Sequence, residues 1–521
     1  MKQKALGIAL FIVLVGGLVV GVLWVLKPTF FKNKLTKTSD ASNVSETIRM
    51  GGDDYYGYFF LTAQETRSQL AAQGMQVNYV DDGGNYADRL KKFADDEYDA
   101  IVLPVKEYLQ HGKAHGYPGV ITMGIAESRG ADGLTVLTNR VPSATVKALN
   151  NPNLKFVYTD ASPSEFLVDF TVADFGLNQL RASSHWRVPV GSCKEVFERL
   201  KRGEGDVFVL WEPYLSEALR LPNVQYVWGS DKAAGYIIDV VVFRRDYVDK
   251  KHEQVLNFLK AYFRSLDTYE SDQGRLIQEV EENLSSRGFD KSIAPSIVKK
   301  IDWFDLRENL EQQFAIPATP GAPARDGIVN TIIACRNAMI RMGRIQSDPL
   351  PEGNPLFIIN SSFLKELAST GVAPVSVGGS QITEFLPLTD GQWKQLQEVG
   401  SLRLEQITFQ RGTNYLDDFG KTKVDELAQL LANNYPGYRI LVRGHTAPGD
   451  DESDNLRLST ERAEVVKQRL IAVHAINENR VYASGVGSSM PPPSDPTIPP
   501  RERMMRLARV EFVLLEKDFP L

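Results

Sequence analysis

Cysteine is scarce in this chain, with only Cys193 and Cys335 among 521 residues. That excludes a disulfide framework and leaves one disulfide or two free thiols as open alternatives. Histidine is nearly as rare, at six, and no Cys/His set stands at zinc-ligand spacing. The stretch HGKAH does place His111 and His115 four apart. It carries no glutamate between them and runs on into a turn-like GYPG, so two solvated loop histidines are expected there rather than a metal site. Positive charge is not in excess either. The net charge of -6 gives no footing for nucleic acid, whose binders cluster basic residues on one surface. The G-x-S-x-G and G-x-x-x-x-G-K-[ST] signatures are missing, so hydrolase and phosphate-cradling readings lack their parts. No catalytic residue, cofactor or metal is therefore expected, and the protein is not expected to be an enzyme.

What the chain does have is ordinary globular composition, 43% hydrophobic and 24% charged, at a length that suggests roughly three compact units. The exception lies at the N-terminus. Residues 5–26, ALGIALFIVLVGGLVVGVLWVL, contain no charge and as a helix would extend about 33 Å, enough to cross a bilayer. The run is too long for a signal peptide and ends in Trp24 and Lys27-Pro28, an interfacial residue and then a stop. An uncleaved transmembrane anchor is expected. Lysines lie on both sides of it, with Lys2 and Lys4 before and Lys27, Lys32, Lys34 and Lys37 after; counted alone they lean toward a cytoplasmic C-terminal part. Gly17 and Gly21 form a GxxxG pair that could let two spans pack into a homodimer, although glycine is also simply common in membrane helices.

Residues 27–45 are polar and aperiodic and read as a tether. A second boundary, 371–384, falls in STGVAPVSVGGSQIT. No internal repeat is visible, and PPPSDPTIPP at 491–500 reads as a loop within the last unit. Between the boundaries, short β-rich segments (TIRMGG, QVNYVD, AIVLPV, GVITMGI, LTVLTN) alternate with helical ones (TAQETRSQLAAQG, YADRLKKFADD). This is the pattern of an α/β sheet with helices on its faces. Ligands in such folds sit at the carboxyl ends of strands. At such ends stand Asp53, Asp54, Tyr55 and Tyr56 in GGDDYYGYFF, Asp132 in SRGADGLTV, and Ser162 and Ser164 in TDASPSEFLVDF. The serines could equally be ordinary helix N-caps.

The stretch GDVFVLWEPYLSEAL (205–219), followed by YIIDVVVFRRDYVDKKHEQVLNFLKAYF, resembles the periplasmic solute-binding proteins of the nitrate, taurine and thiamine-precursor group of ABC importers. The motif residues are Trp211, Glu212 and Pro213, then Asp239 with its apolar run. The resemblance covers about 45–370, ending in NPLFIINSSFLKEL as a last strand and helix. It implies a two-lobed periplasmic-binding-protein fold, lobe 1 about 46–130 and 240–370 and lobe 2 about 131–239, closing on a small-molecule ligand. It also implies ligand contacts from Asp53, Asp54, Tyr55, Tyr56, Asp132, Ser162, Ser164, Glu212 and Asp239. Anion sites favour helix N-termini and arginine. This set is rich in acids and tyrosines, which leans toward a neutral or amine-bearing ligand.

From about 385 the order is strand (LRLEQITFQRG), helix (KVDELAQLLANNYP), strand (RILVRGHT), helix (STERAEVVKQRLIA, with a serine N-cap) and strand (RLARVEFVLLE). That order, with Gly444-His445-Thr446, Asn455, Leu458-Ser459 and Arg462-Ala463, resembles the OmpA-like peptidoglycan-binding domain, also found in MotB-type proteins. The resemblance implies a C-terminal α/β sandwich in which Arg462 grips a stem-peptide carboxylate. The family's aspartate for the diaminopimelate ammonium falls at Ala447, and two of its closing-strand positions are Leu507 and Ala508, leaving only Arg509. Asp450 or Asp451 could supply the missing acid; the other reading is a domain kept for docking to an envelope protein. Together the resemblances imply a bacterial inner-membrane, single-pass protein with a periplasmic body (385–521 forming the last unit). Its function would be ligand binding plus attachment to the wall or a partner. A tethered binding component of an ABC importer and a ligand-free scaffold are the alternatives.

Overall fold

The computed structural model describes residues 44–317, 324–369, 385–402, 406–410, 413–435, 437–448, 451–491 and 507–516. The apolar run 5–26 with Gly17 and Gly21, the tether, the 371–384 boundary, Asp450 and most of the proline-rich loop lie outside them. Among the described residues no helix is long and apolar enough to cross a membrane.

Three sheets organise the chain. The first has the order β11-β4-β10-β3-β1-β2, with β1 Glu46–Gly52, β2 Met75–Asp81, β3 Ala100–Pro104, β4 Gly119–Ser128, β10 Ile238–Arg244 and β11 Ile301–Trp303. The second has the order β7-β6-β8-β5-β9, with β5 Asp132–Leu137, β6 Phe156–Thr159, β7 Arg187–Val190, β8 Val207–Trp211 and β9 Val224–Gly229. The third has the order β12-β15-β13-β14, with β12 Glu398–Leu402, β13 Arg439–His445, β14 Val481–Gly485 and β15 Arg509–Leu515. The central strands of the first two sheets are buried end to end, as in β3, β4, β5, β8 and β10. Continuous apolar runs give this result when helices cover both faces.

The chain passes between the first two sheets twice, from β4 to β5 and from β9 to β10. Strands β4 and β10 are antiparallel neighbours in one sheet, and β5 and β9 are antiparallel neighbours in the other. The crossings therefore run side by side. The Ser230 hydroxyl joins them, receiving the amides of Gly130 at 2.9 Å and Asp132 at 3.2 Å and lying 2.7 Å from the Ser128 hydroxyl. Two lobes joined by two adjacent strands are the geometry of a hinge.

Four local expectations need correcting. The last helix pair of the third unit does not start at Ser459: the helix runs Glu452–His474 and is capped by Asp451, whose carboxylate accepts the Ser453 and Asp454 amides. Ser459 is buried within it. NPLFIINSS forms a short 3-10 turn and a single bridge, Ile121 to Ile359, before the helix Ser362–Ser369, because Pro355 removes a ladder donor. The paired strand Glu398–Leu402 lies ahead of LRLEQITFQRG (402–412), of which residues 403–405 and 411–412 lie outside the described residues, and Phe409 makes an isolated bridge to Leu416. His111 is not in a loop; it ends the helix Val105–Gly112 and sits beside buried Glu107.

The buried Asn309 carboxamide ties the helical segment after β11 to β4. Its oxygen accepts the Gly124 amide at 2.8 Å, and its nitrogen donates to the carbonyls of Gly124, Phe304 and Asp305 at 3.0–3.1 Å. Asn309→Ala would strand these buried backbone groups. We expect it to lower unfolding stability by about 3 kcal/mol, measured from the denaturant midpoint.

Candidate ligand site between the two lobes

Strand β1 ends at Gly52, and the turn beyond it drives Asp53 into the protein, where it is 2% exposed. Its Oδ2 accepts the Tyr86 hydroxyl at 3.1 Å and pairs with Arg89 at 2.9 Å. Arg89 has no exposed side-chain surface, also binds Asp82, and donates to the carbonyl of Val102. One guanidinium thus ties the ends of β1 and β2 to the middle of β3. Asp239, near the start of β10, receives the Tyr58 hydroxyl on Oδ1 at 2.5 Å. From the other lobe come Asp132, at the start of β5, and Glu212, just beyond β8. Asp132 Oδ2 accepts the Ser128 hydroxyl at 2.6 Å. Glu212 takes the Ser216 amide and hydroxyl and pairs with Lys300 of lobe 1 at 2.7 Å.

These acids share one electrostatic environment. Burial, then the charges of Asp132, Asp239 and Glu212, raises the Tyr55 hydroxyl well above the usual phenol range. Burial with the neighbouring Asp132 and Asp53 charges pushes Asp239 well up. Burial, reinforced by Glu212 and Asp53 and opposed by the Ser128 bond, raises Asp132 to about 7. Burial likewise raises Glu212, with Lys300 and Ser216 opposing it.

The structure brings Asp53, Tyr55, Asp132, Glu212 and Asp239 into this group. Asp54 turns elsewhere, accepting Trp211 Nε1 at 3.4 Å and the Tyr214 hydroxyl at 3.1 Å, and pairing with Arg287 at 2.9 Å. Tyr56 bonds Asn283 and lies beneath Arg287. Ser162 is an engaged N-cap of the helix Pro163–Asp174, accepting the Ser164 amide and donating to the Thr159 carbonyl. Ser164 sits in the first turn of that helix, completely buried. Its hydroxyl has no partner, nor do the Thr159 hydroxyl, the Tyr55 hydroxyl or Asp239 Oδ2. Buried polar atoms are almost always bonded, so the open Tyr55 hydroxyl and Asp239 Oδ2, beside Asp132 and Glu212, mark a candidate ligand site.

Sequence reading did not single out Tyr58, Tyr86, Arg89, Lys106, Glu107, Thr159 or Lys300. Lys106 follows the last residues of β3, and its position beyond a strand's carboxyl end was the available signal. Its ammonium binds Glu107 at 2.9 Å and lies 5.6 Å from the Phe166 ring centre, across the lobe boundary. For Arg89 there was no signal, since YADRLKKFADD reads as a solvated helix. Among the described residues no three His, Cys, Asp or Glu side chains stand as a metal cage.

In the third unit Arg462 is half-buried. It donates to the Thr413 carbonyl from Nε and Nη2 at 3.2 Å and stacks over Phe409, with no acid paired to it among the described residues. Burial alone holds its pKa down. Asn455 bonds Glu452. Arg509 reaches the carbonyls of Leu507 and Met490 and is lowered by burial. Asp451 is occupied by its capping bonds, and Ala447 offers no acid.

The OmpA family model matches residues 408–504. No curated protein matches the chain. Solved structures similar to the first part include the periplasmic aliphatic sulphonate binding protein SsuA from Escherichia coli, 13% identical with a TM-score of 0.45, covering 58% of this chain and 94% of that one. The periplasmic nitrate-binding protein NrtA from Synechocystis PCC 6803 is 11% identical with a TM-score of 0.45, covering 63% and 89%. The alkanesulfonate-binding protein SsuA from Xanthomonas axonopodis pv. citri bound to MOPS is 12% identical with a TM-score of 0.44, covering 58% and 95%. The chain thus carries an OmpA-family segment behind a two-lobed α/β body similar to ABC-type periplasmic binding proteins.

The raised Asp132 carboxyl sets a pH dependence. Its folded value, about 7, lies above its ordinary 3.8, so its contribution to stability is complete below about pH 4 and is lost as pH rises through 7. We expect the melting temperature of the ligand-free protein to fall from pH 5 to pH 8, and Asp132→Asn to flatten that fall when both are scanned by calorimetry.

Proposed function

We propose that this protein is a single-pass protein of the bacterial inner membrane. Its periplasmic two-lobed body would bind a small molecule, and its OmpA-family domain would attach to the cell wall or an envelope partner. The binding reading rests on one observation above others: the unpartnered, buried Tyr55 hydroxyl and Asp239 Oδ2, which share one electrostatic environment with Asp132 and Glu212 of the other lobe. Such groups cost free energy until a ligand satisfies them. Each lobe supplies part of the set, so a ligand touching both favours the closed arrangement by its differential affinity. Asp53 and Glu212 stand in ion pairs with Arg89 and Lys300, while Asp132 and Asp239 each take only a neutral hydroxyl. Such an arrangement supports binding.

The apolar run at residues 5–26 would hold this body at the membrane, and the OmpA-family match supports a periplasmic location and an envelope attachment. Arg462 is a cation on that domain suited to a ligand carboxylate, because the Thr413 carbonyl and the Phe409 ring hold it and no acid pairs with it among the described residues. Asp451, a candidate for the acid missing at Ala447, spends its Oδ1 on capping its own helix.

Two measurements test these assignments. Cosedimentation with purified murein is expected to weaken about tenfold in Arg462→Ala, and equal pelleting of both forms would remove the wall contact in favour of a protein partner. Thermal-shift screening of the purified chain against pooled small metabolites is expected to reveal at least one stabilising compound. A flat screen, with Ser164→Ala equally silent, would leave a scaffold.

A further inference from the structure

We infer that the cleft ligand carries a positive charge, an ammonium, amidinium or guanidinium group, seated between Asp132 of one lobe and Asp239 of the other. This rests on the two-lobed binding reading and deepens it. The basic groups around the cleft are already matched: Arg89 by Asp53 and Asp82, Lys106 by Glu107, Lys300 by Glu212 and Arg287 by Asp54. Asp132 and Asp239 have no such partner. Each is almost fully buried, at 3% and 1% exposure, and each receives one neutral hydroxyl, from Ser128 and from Tyr58.

A second, independent feature points into the same place. The Tyr55 side chain is buried, packed edge-on against Tyr58 at 5.6 Å, and its hydroxyl bonds nothing, as does Asp239 Oδ2. The ionised Asp239 oxygen can only accept hydrogen bonds, and the Tyr55 oxygen can accept one while its own O–H donates elsewhere, which suits a multi-donor cation. Buried carboxylates without a counter-ion are costly, and a cation between them removes that cost. An anion in the same position would meet Asp53, Asp132, Glu212 and Asp239 with no free base to receive it. Because the two carboxylates belong to different lobes, the same cation would draw the lobes together.

The test is titration calorimetry on the full chain with two probe panels: putrescine, agmatine, arginine and choline against nitrate, phosphate and methanesulfonate. At least one cation is expected to bind, more tightly as pH rises from 6 to 8 while Asp132 ionises in the presence of Asp53, Glu212 and Asp239 with their partners Arg89 and Lys300. Asp132→Asn and Asp239→Asn are expected to weaken it tenfold or more each. Both substitutions are nearly isosteric, and the ligand-free variants are expected to melt no lower than the parent at pH 8, which separates lost binding from lost folding. An anion that binds parent and Asn variants alike overturns the charge assignment and leaves the two-lobed reading standing. No binding from either panel overturns both.

A different observation carries a second inference. Residues 230–237 form the crossing from β9 to β10, and the third unit holds that crossing. The Ala234 amide donates to the Asn434 carbonyl at 2.8 Å, and Asn434 Nδ2 donates back to the Ala234 carbonyl at 2.8 Å. Lys232 pairs with Glu516, and the Tyr435 hydroxyl reaches Asp174 at 3.4 Å. Gly400 of β12 lies so close to Phe175 that an added Cβ would sit 2.3 Å from its ring. The geometry points to mechanical coupling: the OmpA-family domain grips one hinge strand, so lobe closure and the docking of that domain shift each other's equilibrium.

Spin labels at Lys91→Cys and Lys201→Cys, on exposed helices of the two lobes, report lobe separation; both native thiols are buried. Asn434→Ala combined with Glu516→Lys is expected to broaden the distance distribution, and restoring the ion pair with Lys232→Glu to narrow it again. An unchanged distribution in the first variant, or no recovery in the second, would overturn the coupling.

Discussion

Ser230 is the pin of the hinge between the two lobes. Its hydroxyl sits between the two crossings, taking the amides of Gly130 and Asp132, touching Ser128 and lying 3.2 Å from the Asp132 carbonyl. Ser128 in turn binds the Asp132 carboxylate. The same few atoms therefore fix the register of the two connecting strands and the direction of a cleft acid. The two crossings are held together through this network.

Arg89 performs the corresponding service within lobe 1. A guanidinium with five donors can hold three strands at once, and here it binds Asp53, Asp82 and the Val102 carbonyl. A buried charge of this kind adds little net stability, because desolvation opposes the pairing. What it adds is position. Asp53 is turned inward to meet it, and the turn that follows carries Tyr55 and Tyr58 into the cleft.

Much of the fold could be read from the sequence because strand burial follows from composition. AIVLP and GVITMGI are apolar throughout, and such runs have only the interior to go to. β14, VYASG, escaped notice because it is short, half-buried and rich in small residues. The start of the helix Glu452–His474 was hidden for a different reason. Its first turns, ESDNLRL, show no apolar stripe, and Asp451 looked like one acid among four rather than a cap. For the site, strand-end acids could be read from position. Their partners could not, since Arg89, Lys106 and Lys300 come from helices and turns whose local pattern says only "charged". Which carboxylates are left unmatched depends on which cations arrive, and that is a property of the folded chain alone.

The two thiols close the account. Cys193 lies under the Trp211 amide and Cys335 against the Tyr236 carbonyl, both buried and unpaired. Burial pushes both up, Cys335 to about 12 and Cys193 well above its ordinary value. A thiol held in its protonated form and away from solvent is a poor nucleophile toward oxidants and disulfides. The body can therefore mature in an oxidising compartment without an oxidoreductase and keep the same covalent structure through swings of redox poise.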